Sequence, residues 1–324
     1  MRSKNFPQIS VVMAVYNSVN FIDEAIKSIL NQTFEDFELI IIDDASTDGS
    51  ISAINHFAKR DKRIKVIKNK NNLGVAESRN KGLKIARGKY IAITDSDDVC
   101  KKERLEVEYR YLEKNTDVFL VGSSFEYIDQ RGNKKGKKII NLPQNKLDKR
   151  ILNGYELLNA TIMFRNGFNY YYRRKFTLSE DYDLFLRLIS DKRRISILSK
   201  NLYEYRINPS SLMHTQSNKQ KLFAKKAREF YNERCYNRKD SYESFNPSTI
   251  LSLKEKHISG ELLVKARELK FLFKNTHNMH KYRKEIKRFW QEQGMFKWKK
   301  GIVYYIISFA PQFIISKIKR FIWK

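Results

Sequence analysis

Between Ile9 and Leu120, short apolar runs alternate with stretches in which apolar residues return every three or four positions. This alternation predicts strand and helix in turn, the pattern of βα units feeding a mostly parallel sheet. Four runs are clear, Ile9 to Val15, Leu39 to Ile42, Ile64 to Ile67 and Tyr90 to Thr94, and Val118 to Val121 supplies a fifth. Their Ile- and Val-rich character suits strands covered on both faces. Between the first two runs, Phe21, Ile22, Ala25, Ile26, Ile29 and Leu30 fall at helical spacing, with Asn20 as N-cap and Asp23 and Glu24 in the first turn. Residues 129 to 150 hold Gly132, Gly136, Pro143 and eight Lys or Arg, and read as an exposed loop region. Leu184, Leu186, Leu188 and Ile189 then predict a further helix.

Beyond about residue 218 the chain turns helical, basic and poor in Gly and Pro, which places a boundary there. The expected organisation is a domain over 1 to 218, with halves at 1 to 120 and 121 to 218, followed by a helical basic region over 219 to 324. A chain of 324 residues can bury the core this needs. Its 41% apolar and 13% aromatic content excludes a disordered polymer.

Charge changes the picture more than size does. The net charge is +28, yet residues 1 to 120 carry 20 Lys+Arg against 18 Asp+Glu, and residues 121 to 324 carry 44 against 18. Such a basic surplus attracts nucleic acid, anionic lipid or a phosphorylated substrate without distinguishing them. The two cysteines, Cys100 and Cys235, are too far apart for a redox or zinc pair and point to a reducing compartment. The first apolar run spans only seven residues and has no cleavage signal, so it reads as a strand, not an export peptide.

Ligands of open α/β sheets bind beyond the carboxyl ends of strands, so the residues after each run are where chemistry is expected. The second run leads into Asp43 and Asp44, the fourth into Asp95, Ser96, Asp97 and Asp98, and Glu180 and Asp181 open the later helix. Acids after a strand are often turn formers or helix caps, a use open to Asp44, Ser46 and Asp48. Two clusters at separate strand ends, with a third at a helix start, instead suggest one site: some carboxylates for a base or ribose, others for a divalent cation against a diphosphate. There is no GxGxxG after the first strand, no GxxxxGK[ST], no HExxH and no nucleophile elbow, which disfavours dehydrogenase, P-loop and hydrolase readings.

Five ordered motifs carry a resemblance: Ile9 to Asn17 (IleSerValValMetAlaValTyrAsn), Ile41 to Ser50 (IleIleAspAspAlaSerThrAspGlySer), Asn72 to Gly82 (AsnLeuGlyValAlaGluSerArgAsnLysGly), Ala86 to Asp98, and Ser179 to Leu188. Across residues 8 to 210 the chain resembles the inverting glycosyltransferase family two. The resemblance implies the GT-A fold, a Rossmann-like nucleotide-binding half joined to an acceptor half. It implies that Ala14, Tyr16 and Asn17 line a nucleotide pocket, that Asp43 and Asp44 meet the uracil or ribose, and that Arg79 and Ser96 lie near the nucleotide. Asp95 and Asp97 match the family's Asp-x-Asp, with Asp95 towards the ribose and the cation and Asp97 on Mn²⁺ or Mg²⁺. Asp181 matches the catalytic base, and Glu180 and Arg206 fall to the acceptor side. The implied partners are a nucleotide-sugar donor, UDP-linked by family habit, and a glycan or lipid-linked acceptor in the cell envelope, with no nucleic acid.

Some residues keep a plainer use open. Arg187 can pair with Asp183 one turn earlier, and Glu180 can cap its helix instead of orienting an acceptor. Where family members often carry a histidine after a TyrArg pair, this chain has Asn208, and His214 is a candidate substitute. No GlnxxArgTrp motif of processive synthases follows Asp181, which favours single addition. Nucleic-acid binding rests on the basic surplus and the aromatics at 170 to 172, without any recognised module. A catalytically silent scaffold is a further alternative, against which the intact acids stand. Residues 215 to 324 carry 26 Lys+Arg against 9 Asp+Glu, and the apolar stretch Gly301 to Ser316 contains Pro311 and is short for a membrane span. With Trp298 and Trp323 it suits helices lying in an anionic headgroup layer, which would place the protein in the cytoplasm, peripheral at the inner face of the membrane. A helical cap over the catalytic core is the alternative.

Overall fold

The computed structural model describes residues 6–154, 157–207, 217–253, 269 and 279–293. The chain divides into two compact units, one of Met1–Arg206 with Asn218–Leu253, the other of Ile207–Ser217 with Lys254–Lys324. In the first unit β1 (Ile9–Val15), β2 (Phe37–Asp43), β3 (Ile64–Lys68) and β4 (Tyr90–Asp95) are parallel neighbours in the order β3-β2-β1-β4. They are joined by α1 (Ile22–Leu30), α2 (Ser50–Ala58) and α3 (Val75–Ile85). The order reverses at β1, so the crevice for a ligand opens between the carboxyl ends of β1 and β4.

The sheet continues through β5 (Val99–Cys100), β6 (Val118–Ile128), β7 (Lys134–Lys138), β8 (Met163–Arg165) and β9 (Arg194–Arg206), with α4 (Arg104–Lys114), α5 (Gln144–Asn153) and α6 (Glu180–Ser190) interspersed. The spatial order is β4-β8-β6-β9-β5, with β7 hanging off β6. This is the mixed Rossmann-like sheet expected of the GT-A fold. Val12, Ile40, Ile42, Ile91 and Ile93 enter one core with α3 and α6, while Ile9, Val11, Met13, Leu39 and Ile41 enter the other with α1 and α4. The period of two therefore splits each strand between two cores. α3 lies so close to the sheet that a Cβ on Gly82 would come within 2.5 Å of Val12 and 2.8 Å of Ile42.

Three local expectations are corrected. α1 starts at Ile22 with Phe21 at its cap position, not Asn20, because the Ser18 carbonyl accepts both Phe21 N–H and Ile22 N–H at 2.9 Å. Residues 129–150 hold β7 and the start of α5, not a continuous loop. The fifth run extends to Ile128, with Ser123 and Ser124 buried within it.

α7 (Ser217–Asn237) and the short α8 (Ser248–Leu251) follow. Phe223 and Phe230 of α7 meet Phe176 with ring centroids 6.2 and 5.7 Å apart, and Phe245 joins them. In the second unit α9 (Met279–Gln293) buries Met279, Tyr282, Ile286 and Phe289, a single helical stripe. No helix among the described residues is long and apolar enough to cross a membrane. Trp298 to Lys324, Asn208 and His214 lie outside the described residues.

Candidate active site

The loops after β1 and β2 interlock before any ligand arrives. Asn17, in the left-handed region at φ 50°, donates its N–H to Ser46 Oγ (3.1 Å) and accepts Thr47 N–H on Oδ1 (2.8 Å). Ser18 N–H reaches Ser50 Oγ (2.8 Å), and Asp48 accepts the N–H groups of Val19 (2.9 Å) and Ser50 (3.0 Å). Ser46 and Asp48 are thus turn-forming residues, as their plainer reading has it. Ala14 sits in register with Ile42 and Asp95, at the switch point itself. Tyr16, two residues on, is 50% exposed.

Asp43 and Asp44 are neighbours with different duties. Asp44 turns its carboxylate onto the β3–α3 connection, where it accepts Asn69 Nδ2 (2.7 Å), Leu73 N–H (2.9 Å) and Gly74 N–H (2.9 Å). Asp43 is fully buried, yet neither carboxylate oxygen has a partner. A buried carboxylate in that state is costly unless something else satisfies it.

The Asp95–Asp98 turn carries three carboxylates in four residues. Arg79 from α3 donates from Nη2 to Asp95 Oδ1 (2.7 Å) and from Nη1 to Glu180 Oε1 (2.9 Å). Ser96 Oγ lies 2.7 Å from Ser18 Oγ, tying the turn to the β1–α1 loop. Burial, and then the nearby Asp95, push the Asp97 carboxyl up to about 6. Asp98 is more deeply buried and is held well above the usual carboxylate range by burial and by Asp97 and Asp95. Among the described residues no three His, Cys, Asp or Glu side chains converge as a closed metal cage. One or two carboxylates at an open turn is the set that Mg²⁺-type cations use when substrate phosphates complete the shell, so Asp97, with the second oxygen of Asp95, fits such an ion.

At the head of α6, Glu180 is buried and turned onto Arg79 instead of pointing outward. Asp181 accepts Tyr182 N–H on Oδ1 (2.7 Å). Burial raises both carboxyls above their ordinary values, and Arg79 pulls the other way. Behind them Tyr172 places its ring 5.5 Å from the Arg79 guanidinium. The 170 to 172 aromatics are therefore committed inward: Tyr170 packs edge-on to Phe119, and Tyr172 Oη meets Asn159 at 3.0 Å. Arg187 pairs with Asp183 at 2.9 Å, its plainer use.

Arg206, expected on the acceptor side, is 2% exposed and spread over four protein acceptors: the carbonyls of Asp97 (2.7 Å), Asp129 (3.0 Å) and Gln130 (3.2 Å), and Oε2 of the exposed Glu24 (2.5 Å). A guanidinium so engaged does not present itself to a substrate. Sequence reasoning also missed Tyr203, whose hydroxyl accepts Asp95 N–H at 3.2 Å. Its alternation within β9 marks it as a core residue, and no sequence signal says which backbone it meets.

The family model of glycosyl transferase family 2 matches residues 10–178, more than half of the chain. An uncharacterized glycosyltransferase of Methanocaldococcus jannaschii is 36% identical over 223 residues, 67% of this chain and 77% of that protein. The chain belongs to glycosyl transferase family 2. Solved structures share the fold at low identity. Staphylococcus aureus TarS residues 1–349 with UDP aligns at TM-score 0.54 and 18% identity, covering 97% of this chain and 91% of that one. The mannosyltransferase PcManGT of Pyrobaculum calidifontis, with GDP-Man and Mn²⁺, aligns at 0.56 and 14%, covering 98% and 87%. In this family 2 glycosyltransferase, two of the three acidic clusters, the turn after β4 and the α6 start, are joined by one arginine, Arg79.

Proposed function

We propose that this glycosyltransferase moves a single sugar from a nucleotide-diphosphate donor, UDP-linked in the first instance, to a hydroxyl of a cell-envelope glycan or lipid-linked acceptor, with inversion. Arg79 carries the reading: one guanidinium joins Asp95, on the expected donor side, to Glu180, whose neighbour Asp181 is the expected base. Donor and acceptor chemistry then lie within one side chain's reach. The fold neighbours solved with UDP and with GDP-Man and Mn²⁺ support a nucleotide-sugar and a divalent cation.

Asp43 and the Tyr16–Asn17 segment receive the base and ribose, and Asp95, Ser96 and Arg79 stand beside the diphosphate. Asp97 and Asp95 hold Mn²⁺ or Mg²⁺, which when bound neutralises the charge developing on the leaving diphosphate. An acceptor hydroxyl is a weak nucleophile, so Asp181 takes its proton as the oxygen attacks the anomeric carbon. A single displacement inverts that centre. The elevated Asp181 carboxyl is a stronger base than an exposed aspartate would be, and Tyr182 N–H fixes its orientation. Peripheral attachment to an anionic membrane through 298 to 324 would bring a lipid-linked acceptor to a cytoplasmic site.

Calorimetric binding of UDP with and without Mn²⁺ to the native chain and to Asp97→Ala, with a panel of UDP-sugars and GDP-mannose screened for nucleotide release, tests this. Metal-dependent binding lost in Asp97→Ala supports the donor site, and the fastest-hydrolysed sugar nominates the donor. Absence of any nucleotide binding with any metal sinks the reading. Vesicle flotation that survives deletion of 298 to 324 sinks the membrane part alone.

A further inference from the structure

All four residues of the Asp95–Asp98 turn are held by protein groups before any cation arrives. Tyr203 Oη accepts Asp95 N–H (3.2 Å) and also meets the Thr94 hydroxyl (3.2 Å). Ser96 is tied to Ser18. Arg206 Nε donates to the Asp97 carbonyl (2.7 Å), and Arg206 N–H donates to Asp98 Oδ1 (2.7 Å). Two residues three apart on β9, Tyr203 and Arg206, thus grip the turn at three of its four positions. The grip is itself anchored: β5 pairs with β9 through Cys100 and Tyr203, and Arg206 stacks 4.9 Å from the Phe21 ring while reaching Asp129, Gln130 and Glu24.

We infer that Arg206 is the positioning residue of the cation site, holding the Asp97 backbone so that its carboxylate meets the metal without reordering. The inference rests on the reading that Asp97 binds the divalent cation. Both gripping side chains are buried. The effect of the grip passes through the Asp97 peptide, the way groups outside a metal's own ligands commonly set metal affinity. The planar fork matters more than the charge, because a guanidinium can serve four acceptors in different directions while an ammonium is a point charge on a flexible stem. Arg206→Lys therefore keeps the charge and loses the template.

The experiment is Mn²⁺ titration of the full chain in the presence of UDP, read from the free-Mn²⁺ paramagnetic resonance signal, for the native protein, Arg206→Lys, Tyr203→Phe and Asp97→Ala. Arg206→Lys should weaken Mn²⁺ binding by roughly 10- to 100-fold, the usual cost of losing such a group. Raising Mn²⁺ should then restore its turnover, which a merely structural defect would not allow. Tyr203→Phe, which keeps the ring in the core, should weaken Mn²⁺ binding by a smaller factor and remains informative if Arg206→Lys does not fold. Native Mn²⁺ affinity in a folded Arg206→Lys, or in Tyr203→Phe where the former fails to fold, overturns the inference. Native affinity in Asp97→Ala would instead overturn the cation reading on which it rests.

Discussion

Arg104 and Arg79 are both buried arginines facing carboxylates, and their surroundings differ in kind. Arg104 is closed on itself: Glu108 lies one turn along the same helix at 3.3 Å, and the remaining donors go to the carbonyls of Ile93 and Ile162 and to Cys100 Sγ. Arg79 gathers partners from segments 16 and 101 residues away, one of them 30% exposed, and its Nε has no partner. A pair satisfied within its own helix and sheet serves the fold. A cation that joins carboxylates from a strand end and a helix start far apart in sequence, one of them partly exposed, has the arrangement expected of a site.

The largest effect expected on the site side is that of Asp181→Asn, which removes the proposed base and should lower kcat by roughly 10²- to 10⁴-fold while UDP–Mn²⁺ binding stays native. Steady-state rates beside calorimetry check this. An Asp181→Asn enzyme with native kcat removes Asp181 from the mechanism.

Breaking the Arg104 pair tests the other side. Arg104→Met strands Glu108 in the core and should cost about 3–5 kcal/mol of stability, and the double variant Arg104→Met/Glu108→Leu should regain most of it. Arg79→Met should lose activity with a smaller fall in melting temperature, since Asp95 is partly solvated and Glu180, unlike Glu108, is not wholly buried. Equal thermal losses in the two arginine variants would erase the distinction between them.

How much of this was legible follows from what signal each element leaves. Strands of a parallel sheet are covered on both faces and read as apolar runs, so β1 to β4 and the acids at their ends stood out, and the order of motifs gave the family. β7 is LysLysGlyLysLys, joined to β6 by backbone pairing, and leaves no apolar trace. α5 shows only Leu147 and Ile151 as buried apolar anchors among charged neighbours. β8 is three residues long. The roles of Asp44 and Arg206 were illegible for a different reason: both are polar residues at motif positions, and only tertiary hydrogen bonds reveal which protein groups they hold.

Asp43 and Asp44 sharpen that point within two adjacent residues. Asp44→Asn keeps the shape but cannot accept all three N–H donors, so about 1–3 kcal/mol of stability should be lost. Asp43→Asn replaces a buried carboxyl that has no hydrogen-bond partner, and its melting temperature should hold or rise while nucleotide affinity falls. Thermal melts and UDP titrations of the two variants, side by side, decide it; a Tm loss in Asp43→Asn matching that of Asp44→Asn would mean that both carboxylates serve the fold.

The smallest effect is that of pH on the cation turn. The Asp97 carboxyl, raised by burial and then by Asp95 to about 6, lies above its value in the unfolded chain. Its contribution to the metal-free fold is therefore fully present below the ordinary aspartate range near 4 and is lost as pH rises through about 6. A cation needs the ionised form, so the sign reverses for binding: Mn²⁺ affinity should approach a plateau above that pH and weaken towards tenfold per pH unit below it, as protons compete for the ligand. Mn²⁺ titrations across this range, with Asp97→Asn as the reference that cannot titrate there, measure both trends. A pH-independent affinity would mean that Asp97 stays ionised throughout, and that the closeness of Asp95 is offset by the grip of β9.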